Sequence, residues 1–113
     1  MENEKLFIVV RSDLAPGDRC AQSCHALGAF AIRHPDEART WFWDSNNLVV
    51  LECVDEAALR ELVVLARRHG VPYALFSEPD LSCAATACAF GNGMRRFLSS
   101  LPLAFREAKP RAA

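Results

Sequence analysis

Residues 5–10 read Lys-Leu-Phe-Ile-Val-Val, a run rich in β-branched side chains with no polar position between Leu6 and Val10. A strand with one wet face alternates polar and apolar residues, and this segment does not. The run therefore predicts a strand buried on both faces, which needs a covering layer on each side. The following residues supply one. A polar turn with Pro16 and Gly17 leads into a predicted helix from Cys20 to about Arg33. Its small residues Ala21, Cys24, Gly28 and Ala31 recur at spacings of three and four, a stripe expected to seat the helix closely on a sheet, with Leu27, Phe30 and Ile32 adding bulk. Gln22 and His25 lie at this strand-to-helix junction, the carboxyl edge where open α/β sheets bind ligands.

The rest of the chain continues the alternation. His34-Pro35 breaks the first helix, because a residue before proline avoids helical geometry, and Pro35 then opens a short helix through Thr40. Leu48–Cys53 reads as a second strand. Asp55 is a candidate N-cap for a helix that runs to His69, where Gly70 and Pro72 stop it. Tyr73–Phe76 is a third strand, Ser77–Ala85 a polar loop, Thr86–Phe90 a fourth strand, and Met94–Leu101 a last helix. The fold class is α/β: a four-stranded mixed β-sheet flanked by helices in the order β-α-(α)-β-α-β-β-α. Two crossover units make the first three strands parallel. The short last connection makes the fourth antiparallel.

The 113 residues suffice for one domain, read as 1–113 with a core of about 5–105 and a polar tail at 106–113, and 51% hydrophobic content suffices for a core without staples. Net charge is −1, so bulk charge demands no nucleic acid. Its distribution is uneven. Asp36, Glu37, Asp44, Glu52, Asp55, Glu56 and Glu61 outnumber Arg39 and Arg60 in the middle, while Arg95, Arg96, Arg106, Lys109 and Arg111 face only Glu107 at the end. That end is either a solvated tail or a strip for phosphates. The five cysteines are odd in number, and Cys53 and Cys88 fall in predicted strands. With no signal peptide and no apolar run long enough for a membrane span, a reduced, cytoplasmic protein is expected.

Three groups of residues can carry chemistry. Gln22 and His25 share a helical face and can form one polar patch. Cys24 and His25 are adjacent, hence about 100° apart on a helix, and do not face each other as nucleophile and base. Cys20, Cys24 and His25 lack a second ligand cluster for zinc, so no metal is expected. Ser77-Glu78-Pro79-Asp80-Leu81-Ser82 leaves the carboxyl end of the third strand, on the same edge as the first junction. Its two carboxylates either activate a water or cap backbone amides. Thr86 adds a hydroxyl nearby, and Arg11 is expected to pair with Glu78 or Asp80. Trp41-Phe42-Trp43 reads first as core or interface packing.

Taken in order, Val9-Val10-Arg11-Ser12-Asp13-Leu14, Gly17, Ala21-Gln22 and His25-Ala26 resemble the first half of the type II peptidyl-tRNA hydrolases, the archaeal and eukaryotic kind. Trp41, the 48–51 strand and Ala66-Arg67-Arg68-His69-Gly70-Val71-Pro72 fit the same template, and Glu78-Pro79-Asp80-Leu81 with Thr86-Ala87 resembles a variant of bacterial relatives. The resemblance covers about residues 5–105. It implies a four-stranded mixed sheet, frequent dimerisation, and metal-free hydrolysis of the ester between a peptide and the 3′ end of tRNA. Of the family's site lysine, aspartate and threonine, the lysine falls at Asp18, a charge reversal, the aspartate at Glu78 with Asp80 close by, and the threonine at Thr86.

The expected function is therefore a cytoplasmic hydrolase of peptidyl-tRNA or a related acylated tRNA, without cofactor. His25, Glu78, Asp80 and Thr86 are the catalytic candidates; Arg11, Asp18, Arg19, Gln22, Arg95 and Arg96 are the substrate-binding ones. A homodimer is the expected assembly. Two alternatives stand beside it: a tRNA-binding module without catalysis, which Asp18 favours, and a protein-interaction dimer with the tryptophans at its seam.

Overall fold

The structure is a computed structural model that describes residues 4–106. The element order is β1 (Lys5–Arg11), α1 (Pro16–Arg33), α2 (Pro35–Trp43), β2 (Asn47–Cys53), α3 (Glu56–Arg68), β3 (Tyr73–Glu78), β4 (Ala84–Phe90) and α4 (Arg95–Leu98), with 3-10 turns at Pro79–Leu81 and Asn92–Met94. The four strands form one sheet in the order β2-β1-β4-β3. β1 and β2 are parallel, and β4 runs antiparallel to both β1 and β3. This is the mixed α/β sheet that the sequence pattern implies, with β4 inserted between the first and third strands.

β1 is central, and its five inner residues are buried. Leu6, Ile8 and Val10 face α1 with Ala26 and Phe30. Phe7 and Val9 face α3 with Leu59 and Val63. Continuous hydrophobicity thus feeds two half-cores, one on each side of the sheet. α3 starts as its sequence suggests, with the Asp55 side chain accepting from the Ala58 N–H at 2.9 Å. Past its C-terminus, Gly70 takes φ +66°, a conformation that favours glycine. After α4 the chain returns along the open edge of β2, where the Glu52 N–H donates to the Pro102 carbonyl at 3.0 Å and the Ala104 N–H to the Val50 carbonyl at 2.9 Å. That edge is therefore covered.

Several expectations change. α1 begins at Pro16, not Cys20, because proline without an N–H fits the first helical position. Its small-residue stripe faces outward: Ala21, Cys24, Gly28 and Ala31 are exposed, as is Ile32 at 81%, while Gln22, Ser23, Ala26 and Phe30 are buried. The sheet selected the face that carries Phe30 over the face with less bulk. α2 runs on to Trp43 and absorbs all three aromatics. Trp41 packs against the α1-side core, while Phe42 and Trp43 are 50% and 78% exposed. β3 extends to Glu78 and β4 starts at Ala84, which shortens the expected loop. The last helix shrinks to Arg95–Leu98.

All five cysteines are free. Burial pushes the Cys53 thiol up to about 11, and raises Cys88 too, so neither is a thiolate at neutral pH. Among the described residues no helix is long and apolar enough to cross a membrane. Lys109 and Arg111 of the basic tail lie outside the described residues.

Candidate active site

The carboxyl ends of β1 and β3, the start of β4 and the first half of α1 meet at one edge of the sheet. Gln22 projects from the buried face of α1. Its Nε2 donates to Oε1 of Glu78 at 3.1 Å, and its Oε1 accepts from the Thr86 hydroxyl at 2.6 Å. These bonds join residues 56 and 64 positions apart in sequence. A carboxylate only accepts, so Glu78 fixes which end of the Gln22 amide it meets. That in turn obliges Thr86 to donate. Thr86 is wholly buried and Gln22 nearly so, at 0% and 4% exposure, whereas Glu78 at the strand end is half-buried. The hydroxyl also lies 3.5 Å from the Phe76 carbonyl, so Gln22 at 2.6 Å is the nearer of its two acceptors.

His25 lies one turn further along α1 and is exposed. Its ring stacks on Phe76 of β3, with centroids 4.7 Å apart and planes 19° from parallel. Phe76 and Glu78 project from the same strand two residues apart, so imidazole and carboxylate border one patch of surface. Asp80 sits on the exposed 3-10 turn and makes no hydrogen bond or ion pair among the described residues. The turn closes tightly, with Ser82 and Cys83 both left-handed at φ 55° and 60°, a local cost of roughly 1 kcal/mol or more each.

The positive groups go elsewhere. Arg11 does not pair with Glu78 or Asp80. Its fork grips Asp13 through two bonds of 2.9 Å, and its Nη1 donates to the Ala85 carbonyl at 3.0 Å. Asp13 is two residues away and already in reach when β1 ends. The pair raises Arg11 and lowers Asp13 from their ordinary values, in each case mainly through the hydrogen bonds between them. Arg19 donates to Glu52 at 2.8 Å and lies over the Phe105 ring at 5.1 Å, which clasps α1 to β2 and the returning chain. Asp18 is exposed in the first turn of α1, where a negative charge complements the helix dipole. Arg95 and Arg96 are exposed on α4, and Arg95 shares a groove with Lys5 at the start of β1. They are at the opposite end of the strands from Glu78. A concavity of about 540 Å³ between Arg33, His34, Pro72 and Tyr73 is also at that far end.

The structure therefore joins Gln22, Glu78 and Thr86, with His25 beside them. It separates Arg95 and Arg96 from that group and ties up Arg11 and Arg19. Sequence reasoning placed Asp13 at the first junction without making it the partner of Arg11, and gave no part to Phe76 or Glu56. The Arg-Ser-Asp spacing was a usable signal for the Arg11–Asp13 pair; nothing local announced Phe76 or Glu56.

The family model described as peptidyl-tRNA hydrolase PTH2 matches residues 4–94, a span that holds every member of the Glu78–Gln22–Thr86 chain. The chain belongs to this family. Among PTH2-related proteins, a peptidyl-tRNA hydrolase of Methanopyrus kandleri strain AV19 is 40% identical over 83 residues, which cover 69% of this chain and 72% of that protein. A solved structure of a protein of unknown function from Agrobacterium tumefaciens strain C58 aligns with TM-score 0.67 over 91% of this chain and 98% of that one. At 14% identity that likeness concerns the fold alone. Membership in PTH2 places the chain in a family of hydrolases and gives the polar chain at the sheet edge a chemical context.

Proposed function

We propose that this protein hydrolyses the ester joining a peptide to the 3′ end of tRNA, or that of a related acylated tRNA. The observation that carries this reading is the hydrogen-bonded chain Glu78–Gln22–Thr86 at the carboxyl edge of the sheet. Gln22 occupies Oε1 of Glu78 and leaves Oε2 for a water. As that water attacks the acyl carbon, Glu78 takes its proton. The bond from carbon to the ribose oxygen breaks, the ribose oxygen collects that proton back from Glu78, and a peptide acid and a tRNA hydroxyl leave. The second N–H of Gln22 and the exposed His25 ring are the donors nearest to a developing oxyanion. Thr86 acts through Gln22 by holding its amide in register. Gln22 and His25 carry this role because Asp18 stands where the resemblance implies a lysine, and the Arg11 and Arg19 guanidiniums are occupied. This reading uses no metal, so turnover should be unchanged in EDTA. The compartment for such a substrate is the cytoplasm.

Labelled peptidyl-tRNA incubated with the protein should release free peptide. Asp80→Asn should stay within about twofold of the parent rate, because Asp80 lies outside the hydrogen-bonded chain. A tenfold loss would move the base from Glu78 to Asp80. Arg95 and Arg96 are placed to meet the tRNA body at the far end of the domain, so affinity should fall with salt. Salt-sensitive binding without any cleavage would instead identify a binding module.

The outer face of α1 and α2 supports a second copy of the chain as partner. Leu27, Ala31, Ala38, Trp41, Phe42 and Trp43 line one apolar groove of about 430 Å³, a contiguous patch of the kind that marks an interface. Trp43→Asp should leave the fold intact, since Trp43 is 78% exposed, and convert dimers to monomers in sedimentation velocity. A parent protein that sediments as a monomer at high micromolar concentration would remove the dimer.

A further inference from the structure

Thr86 faces α1 because β4 contains one residue too many. On β3 the neighbours Phe76 and Ser77 pair with Ala87 and Ala85, so Thr86 is the unmatched residue of a β-bulge. The side chains record the slip. Phe90 and Cys88 pack on the α3 side, Ala89 and Ala87 on the α1 side. Strict alternation would turn residue 86 toward α3 and residue 85 toward α1. Instead Ala85 joins the α3-side core and Thr86 bonds to Gln22 on α1. A one-residue change of register exchanges the two faces, so a bulge-free β4 would hide this hydroxyl on the wrong side of the sheet.

We propose that Arg11 and Glu56 are positioning residues that set this bulge and thereby aim Thr86 at Gln22. The inference rests on the reading of the Glu78–Gln22–Thr86 chain as the hydrolytic site. The ladder between β1 and β4 ends at Val10↔Ala87. Beyond it the backbone groups of Ala85 need other partners. Its N–H donates to Oε2 of Glu56 at 2.9 Å, and its carbonyl accepts from Nη1 of Arg11 at 3.0 Å. One grip comes from the first residue of α3 and the other from the last residue of β1. Both peptide groups beside Cα of Ala85 are therefore held, and the second of them leads directly into Thr86. Each gripping side chain is itself braced, Arg11 by Asp13 and Glu56 by Arg60 at 3.1 and 3.0 Å. The Ala85 amide, with Arg60 and the Arg11 charge, holds the Glu56 carboxyl below its ordinary value. The folded-state value is depressed, so the charged clamp is complete at neutral pH and is lost only as pH falls through that value.

The test compares Glu56→Ala, Glu56→Gln and Arg60→Ala with the parent. Two readouts are used: steady-state cleavage of peptidyl-tRNA, and the side-chain amide signals of Gln22 in ¹⁵N-labelled protein. Glu56→Ala should shift the Gln22 signals in the same direction as Thr86→Val does. It should also lower kcat about tenfold with KM changed less than about twofold, the mark of misplacement rather than lost binding. Glu56→Gln keeps an oxygen acceptor for the Ala85 N–H and should restore both readouts. Arg60→Ala leaves the Ala85 bond in place and should stay near the parent. Combined with Thr86→Val, Glu56→Ala should cost nothing further in kcat. Unmoved Gln22 signals in a folded Glu56→Ala protein would overturn the proposal, and so would a Glu56→Gln protein as impaired as Glu56→Ala. The spectroscopic arm needs no turnover, so a parent protein without hydrolytic activity would defeat the functional reading while the positioning role is still decided.

Discussion

Glu78→Gln is expected to reduce peptidyl-tRNA turnover by about 100-fold or more, the range associated with removal of a general base. The substitution is chosen for what it keeps. Glutamine has the same length and shape, and its amide oxygen can still accept from Nε2 of Gln22 at the position now held by Oε1. The half-buried strand end that carries it stays filled. The change therefore removes proton acceptance and little else, so circular dichroism and tRNA affinity should match the parent while kcat falls. The contrast with Asp80→Asn gives the result its meaning. Two carboxylates leave the same strand end, but only Glu78 belongs to a network that reaches α1 and β4. Turnover within about threefold of the parent would take Glu78 out of the mechanism.

The parts of the fold legible in the sequence are those set by local periodicity and by glycine and proline. The five apolar residues of β1 demanded two covering layers, and the structure has them. Asp55 and Gly70 marked the ends of α3 because capping is a matter of a few adjacent residues. The side of α1 that meets the sheet was misread, since spacing alone cannot decide between a stripe of small residues and one that carries Phe30. The candidate site shows the same division. Gln22, His25 and Glu78 were legible because strand ends and helix starts fall on one edge of any such sheet. A Thr86 hydroxyl near this edge was legible too, but its bond to Gln22 was not, because it depends on a bulge, and bulges arise from pairing between strands. Arg11 was assigned the wrong partner for a related reason. The sequence shows that a guanidinium and three carboxylates lie near one edge, but Asp13 is the one within reach when β1 ends.

Phe30→Ala should cost about 3–5 kcal/mol, the range for a fully buried phenylalanine truncated to alanine. Phe30 is 1% exposed and fills the space between α1 and the sheet, against Leu6, Ile8 and Ala74 among others. Its removal forfeits the transfer of a large ring and leaves a cavity that β1, held between two strands, has little freedom to close. Domains of this size are stable by about 5–15 kcal/mol in total, so the variant should melt about 15 °C or more below the parent. Phe42→Ala, at a half-exposed position, should cost about 1 kcal/mol or less. The two outcomes separate a buried ring of α1 from a half-exposed ring of α2. Gln22 lies eight residues before Phe30 on the same buried face, and it is tied independently to Glu78 and Thr86. Well below its melting point, then, the Phe30→Ala protein should keep kcat within about threefold of the parent, since the bonds that orient Gln22 do not pass through the ring. A collapse of kcat in the folded variant would mean that the seat of α1, and not the local hydrogen bonds, holds the site together.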